Sequence, residues 1–118
     1  MKKLTILVSL LAGPVLAQDF ATRPGDTVLN ESAMAAEVVG RSHEFFDGGV
    51  SFFSVSGAYS YTYPDGGTAY GSYTVQGDGV VCSDFTHGFS RCDLYVHDGT
   101  RLVLITGDGT RFPIRENR

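Results

Sequence analysis

His87-Gly88-Phe89-Ser90-Arg91-Cys92-Asp93-Leu94-Tyr95-Val96-His97-Asp98-Gly99-Thr100-Arg101-Leu102-Val103-Leu104-Ile105-Thr106-Gly107-Asp108-Gly109 is the stretch that decides the fold. Three glycine-bearing turn signals bracket two runs of strand texture. In the first run Cys92, Leu94 and Val96 alternate with Arg91, Asp93, Tyr95 and His97. A period of two places successive side chains on opposite faces of a strand, one buried and one wet. The second run, Leu102-Val103-Leu104-Ile105, is apolar throughout. It reads as a strand covered on both faces, with the chain's single helix as the candidate cover.

Working outward, Asp-Gly recurs at Asp47-Gly48, Asp65-Gly66 and Asp78-Gly79, and Ser56-Gly57 fills the remaining gap. Asp-Gly tolerates the positive φ angles of tight hairpin turns. The seven turn signals lie about 9 to 13 residues apart, near the spacing of an antiparallel all-β domain. They divide residues 41–115 into eight short strands. Tyr59, Tyr61 and Tyr63 alternate with Ala58, Ser60 and Thr62, and Phe112 and Ile114 alternate with Arg111, Pro113 and Arg115. Pro113 lacks an N–H and suits an edge or closing position. The fold class is therefore all-β: an eight-stranded antiparallel up-and-down meander. Closure into a small barrel or a strongly curled sheet hides the edges, with a two-sheet sandwich as the alternative. Gly71 would permit the bend that a small barrel needs.

Before the strands, Asn30 to Gly40 reads as one short helix. Asn30 is a good N-cap, Glu31 suits the first turn, and three alanines and Met34 favour helix. Gly40 closes it in the left-handed region. Its apolar residues would cover one end of the β-domain. Residues 18–29, with Pro24-Gly25, read as an extended leader. Further upstream, Met1-Lys2-Lys3, the apolar run from Thr5 to Ala12, the Gly13-Pro14 break and Val15-Leu16-Ala17 form a signal peptide over 1–17, cleaved after Ala17. The run is shorter than the roughly 20 residues of a membrane span. No Cys stands at the cleavage point for lipid attachment. The expected address is the periplasm or the medium, with no membrane insertion after cleavage.

The 118 residues make one domain, with 42% hydrophobic and 19% charged positions and 15 glycines without a strict period. Cleavage removes Lys2 and Lys3, the only lysines, and leaves seven arginines against thirteen acids, a net charge of −6. Such a surface has little attraction for nucleic acid or anionic lipid, and lysine-based catalysis is excluded. Cys82 and Cys92 are an even pair in an exported chain, which points to one disulfide. Two free thiols or a metal pair are the alternatives. A metal would need further ligands, and only His87 and His97 lie nearby.

No convincing catalytic constellation emerges. The serines sit in strands and turns without a nucleophile-elbow motif. A triad built on His43, His87 or His97 has no sequence signature, and His97-Asp98 reads as turn chemistry. The acids cluster at turns, where Asp bonds the backbone, rather than as glycosidase pairs. No Asp-x-Asp-x-Asp-Gly run ending in Glu marks a calcium loop. Gly-Asp-Gly at 77–79 and 107–109 lacks the following helix of a phosphate cradle. The chain is accordingly expected to use no cofactor and no metal. Aromatic density stands out instead. Tyr59, Tyr61, Tyr63, Tyr70 and Tyr73 fall within fifteen positions. Tyr59, Tyr61, Tyr63 and Tyr70, with Arg91 as a polar anchor, form the candidate binding face. Tyr supplies area and a hydroxyl at low entropic cost. Cross-strand packing is the plainer use of the same tyrosines, and Arg41, Arg91 and Arg101 could equally keep an outer face wet.

Several motifs resemble a family of small exported proteins, common in alphaproteobacteria, built on a domain of unknown function. They are Val39-Gly40-Arg41-Ser42, Gly71-Ser72-Tyr73-Thr74-Val75, Val81-Cys82-Ser83-Asp84-Phe85, Ser90-Arg91-Cys92-Asp93-Leu94-Tyr95-Val96 and Arg111-Phe112-Pro113-Ile114. The resemblance covers about Leu29 to Ile114, and members often carry Trp where Tyr73 stands. It implies the fold and the exported address and brings no activity with it. The architecture is also similar to two periplasmic inhibitor families, of C-type lysozyme and of secreted metalloproteases. Both use small eight-stranded barrels with a disulfide, and Ser56-Gly57-Ala58-Tyr59 echoes a Ser-Gly-rich loop of the lysozyme inhibitors. Two functions follow as expectations. One is a non-enzymatic module that binds a small ligand or a protein. The other is an inhibitor that inserts a loop, or the Gln18–Asp26 leader, into a lytic enzyme or protease.

Overall fold

The computed structural model describes residues 19–118, so the signal peptide read over 1–17 lies outside the described residues. The elements are β1 (Thr27–Val28), α1 (Glu31–Glu37), β2 (Ser42–Phe45), β3 (Val50–Phe53), β4 (Ala58–Thr62), β5 (Thr68–Gly77), β6 (Val80–Phe85), β7 (Ser90–His97), β8 (Leu102–Ile105) and β9 (Arg111–Asn117). From β2 to β9 each strand pairs antiparallel with the next, and β9 returns to pair with β2. The meander is thus a closed eight-stranded barrel rather than a curled sheet or a sandwich.

All seven turn signals fall between strands. In most, the glycine alone is left-handed, as at Gly48 (φ 96°), and the aspartate keeps a negative φ. The aspartate carboxylate then accepts the N–H two residues on: Asp47 from Gly49, Asp65 from Gly67, Asp98 from Thr100 and Asp108 from Thr110. Asp78-Gly79 differs, with both residues at positive φ (49° and 79°), as a primed hairpin turn requires.

Asn30 caps α1 as expected, its side-chain oxygen accepting the Ala33 N–H at 2.8 Å. The regular helix ends at Glu37, three residues short of the Gly40 boundary read from the sequence; Val38 to Gly40 form a turn. Met34 and Val38 of this segment are buried in one cluster with Phe53, Tyr95, Leu102 and Ile114. The helix therefore plugs one end of the barrel.

The leader carries more structure than an extended polar segment. Its last residues form β1, which pairs with the end of β7 where β6 has stopped (Thr27↔His97, Val28↔Val96). Asp26 accepts two hydrogen bonds of 2.9 Å from Arg111, and its side chain is only 3% exposed. Phe20 packs on a second cluster, Leu94, Val96, Val103 and Ile105, on the outer face of β7 and β8. β8 is covered on both faces as expected. The leader's Phe20, rather than the helix, covers the outer one.

Cys82 and Cys92 form a disulfide (S–S 1.98 Å) and stand directly opposite each other in the β6–β7 ladder. Gly71 lets the neighbouring strand approach closely. A Cβ there would lie 2.2 Å from the Asp84 carbonyl oxygen of β6.

Candidate functional site

The barrel is plugged by α1 at one end and open at the other. A cavity of about 490 Å³ opens at the end that carries the β2–β3, β4–β5 and β6–β7 turns. Strand alternation decides what lines it. Phe45, Phe53, Tyr59, Tyr61, Tyr95 and Leu104 form the apolar wall, and Tyr63, His87, Phe89 and Phe112 stand nearer the mouth. Tyr63 and Phe89 are about half exposed (48% and 54%). The rings brace one another. Phe53 and Tyr59 lie 5.0 Å apart, and Phe85 and His87 stack at 5.5 Å with planes within 6°.

Two polar clusters interrupt the wall. Ser51 Oγ and the Tyr59 hydroxyl are 2.9 Å apart, and burial pushes the Tyr59 phenol up to about 12. Arg91 donates from Nε to Asp93 Oδ2 at 2.8 Å. The Asp93 side chain is 12% exposed and that of Arg91 38%, so the arginine is the member of the pair that the cavity presents. Burial pushes the Asp93 carboxyl above the ordinary carboxylate value, with Arg91 opposing the shift. Ser83 lies opposite Arg91 in the β6–β7 ladder and also lines the cavity.

The candidate face read from the sequence divides. Tyr59, Tyr61, Tyr63 and Arg91 all line the cavity. Tyr70 does not: it pairs with Ser60 on the outer face and is 62% exposed. The hairpin centred on Asp65-Gly66 pairs Tyr59 with Gly71 and Tyr61 with Ala69, so an even-numbered partner of Ser60 must point the other way. Arg91 faces the cavity rather than keeping an outer face wet. Arg41 donates to the Ala36 carbonyl, and Arg101 donates to the Ile114 carbonyl and covers the Phe46 ring, both away from the cavity.

The three histidines stand apart. His43 is buried beneath α1 with Nε2 2.7 Å from the Glu37 carbonyl oxygen, His87 is at the mouth, and His97 accepts the Gly99 N–H through Nδ1. No group of three or more His, Cys, Asp or Glu placed to hold a metal occurs among the described residues. Nor is any described helix long and apolar enough to cross a membrane. Asp93, Ser51, Ser83 and the phenylalanines of the wall were not singled out by sequence. The available signal was parity. Once Cys82 and Cys92 are paired, residues 81, 83, 91 and 93 share the face opposite the disulfide.

No family model matches this chain, and no curated protein or solved structure matches it.

Proposed function

We propose that this protein is an exported, non-enzymatic binding module that holds a small, largely apolar ligand in the mouth of its barrel. The observation that carries the reading is the cavity of about 490 Å³. Its size falls in the range of small-molecule sites, and its chemistry matches theirs: mostly aromatic walls with a few convergent polar groups. A small eight-stranded barrel is otherwise just wide enough for its own side chains to fill. The disulfide and the signal-like N-terminus support the exported address, in line with the resemblance of the chain's motifs to a family of small exported proteins. The inhibitor alternative draws less support. The leader it would insert is tied down through Asp26 and Phe20, and the hairpin loops are short.

The test uses N-phenyl-1-naphthylamine, an uncharged aromatic amine that fluoresces when taken out of water. The oxidised protein, recovered from a periplasmic extract, should bind it saturably at one site per chain, and Tyr61→Ala should weaken that binding. No saturable signal would remove the reading. Mass spectrometry of the same material should find Gln18 at the N-terminus; an intact Met1 end would remove the exported address.

A further inference from the structure

Of the three charged side chains that line the cavity, Asp47, Arg91 and Asp93, the two that form an ion pair are not equally committed. Arg91 has five N–H donors, and among the described residues its hydrogen bonds end at Nε, on Asp93. That bond orients the guanidinium and leaves its two terminal amino groups unpaired, on the more exposed member of the ion pair. Directly across the ladder, the buried Ser83 has no hydrogen-bond partner for its hydroxyl among the described residues, and it faces the same space. The disulfide between Cys82 and Cys92 holds these strands in the register that places Ser83 beside Arg91. The other carboxylate on the wall, Asp47, accepts the Gly49 N–H at the mouth. The cavity therefore presents unpaired donors at one place, surrounded by aromatic rings.

Resting on the binding reading above, we infer that the ligand is a flat apolar molecule bearing one oxyanion, a carboxylate or sulfonate, that docks head-in on Arg91 and Ser83. A guanidinium fork matches the paired oxygens of such a head, and an adjacent hydroxyl adds a further donor. The rings of Tyr59, Tyr61 and Phe85 then hold the body of the ligand. Asp93 acts as a positioning residue: it aims the guanidinium and does not meet the ligand's charge.

A matched pair of probes tests this. 1-Anilinonaphthalene-8-sulfonate and N-phenyl-1-naphthylamine share the same aromatic body, and only the first carries an oxyanion. The wild-type protein should bind the sulfonate about tenfold more tightly than the amine, the value of one charge-assisted hydrogen bond. Arg91→Gln should bring the two affinities together. Ser83→Ala, a smaller change that keeps the strand pairing, should shrink the gap in the same direction. Equal affinities in the wild type, or a sulfonate preference that survives both substitutions, would overturn the oxyanion site and leave the cavity reading standing. Failure of both probes would take the cavity reading with it.

Discussion

His43 shows how much a single buried side chain can set. It is 0% exposed, lies between the Phe53 and Tyr95 rings, and bonds the Glu37 carbonyl through Nε2. Only a protonated Nε2 can donate to a carbonyl, so the neutral ring leaves Nδ1 bare, and Nδ1 is buried without a partner. Burial holds the imidazole below its usual 6.5. Above 6.5 both folded and unfolded forms carry a neutral ring, and the stability is complete. As the pH falls through 6.5 the unfolded chain takes the proton first, so stability drops until the depressed folded value is passed. Urea melts between pH 7.5 and 5 should show that decline, and His43→Gln should flatten it. An unchanged slope would rule out His43 as its source. Gly49 acts differently, by leaving room. A Cβ there would lie 2.1 Å from the Tyr61 hydroxyl. Gly49→Ala should therefore displace the Tyr61 ring and weaken aromatic-amine binding, while costing stability no more than about 1 kcal/mol because a flexible ring tip can give way. Paired binding titrations and thermal melts would check it.

At the scale of the element, the β6–β7 hairpin and the leader do the most. The disulfide closes a separation of 10 residues, for which loop entropy gives about 2.7 kcal/mol. The double variant Cys82→Ser/Cys92→Ser should lose roughly that much in a denaturant melt. It should also lose binding, because Arg91, Ser83 and Asp93 flank the bridge on the cavity side. A variant that keeps full binding would show that the ladder holds its register unaided. The leader is held by Asp26, whose carboxyl is kept below the usual range mainly by its hydrogen bonds from Arg111. That contribution is present above pH 3.8 and is lost as the pH falls through the lowered folded value. Asp26→Asn should speed amide hydrogen exchange across residues 19–29 and leave the β3–β5 amides unaffected. The turns and the helix cap were legible because their causes are local. Asp-Gly sets a backbone angle, and an Asn side chain reaches an N–H three residues on. The added strand β1 was not legible, since two residues carry no periodicity and their partner lies about 70 residues away.

Across the whole molecule, the barrel encloses polar and aromatic groups together, and alkaline pH should expose the cost. Tyr59 ionises only near 12 in the folded state, against 10.0 unfolded, and burial is the main cause. Between those values the unfolded chain has given up a proton that the folded chain keeps. Stability should therefore fall as pH rises from 10 to 12, and Tyr59→Phe should reduce that fall. Absorbance titration of the phenols alongside melts would decide it. An unaltered alkaline slope in the variant would assign the effect to another group such as Tyr95, also pushed upward by burial.

The amino-acid order by itself determined the strand count of the barrel, all seven reversals and the capped helix, and it pointed to the cysteine bridge that the structure then decided. Each is settled by residues within about ten positions of one another, where backbone angles and short loops leave few choices. Only the tertiary structure decided which face of each strand turns inward. Alternation presents two faces and does not rank them: Leu94 and Val96 look like core beside Arg91 and Asp93. They lie outside because Phe20 and β1 come back to cover them, and the charged face is then the one that closes around the cavity.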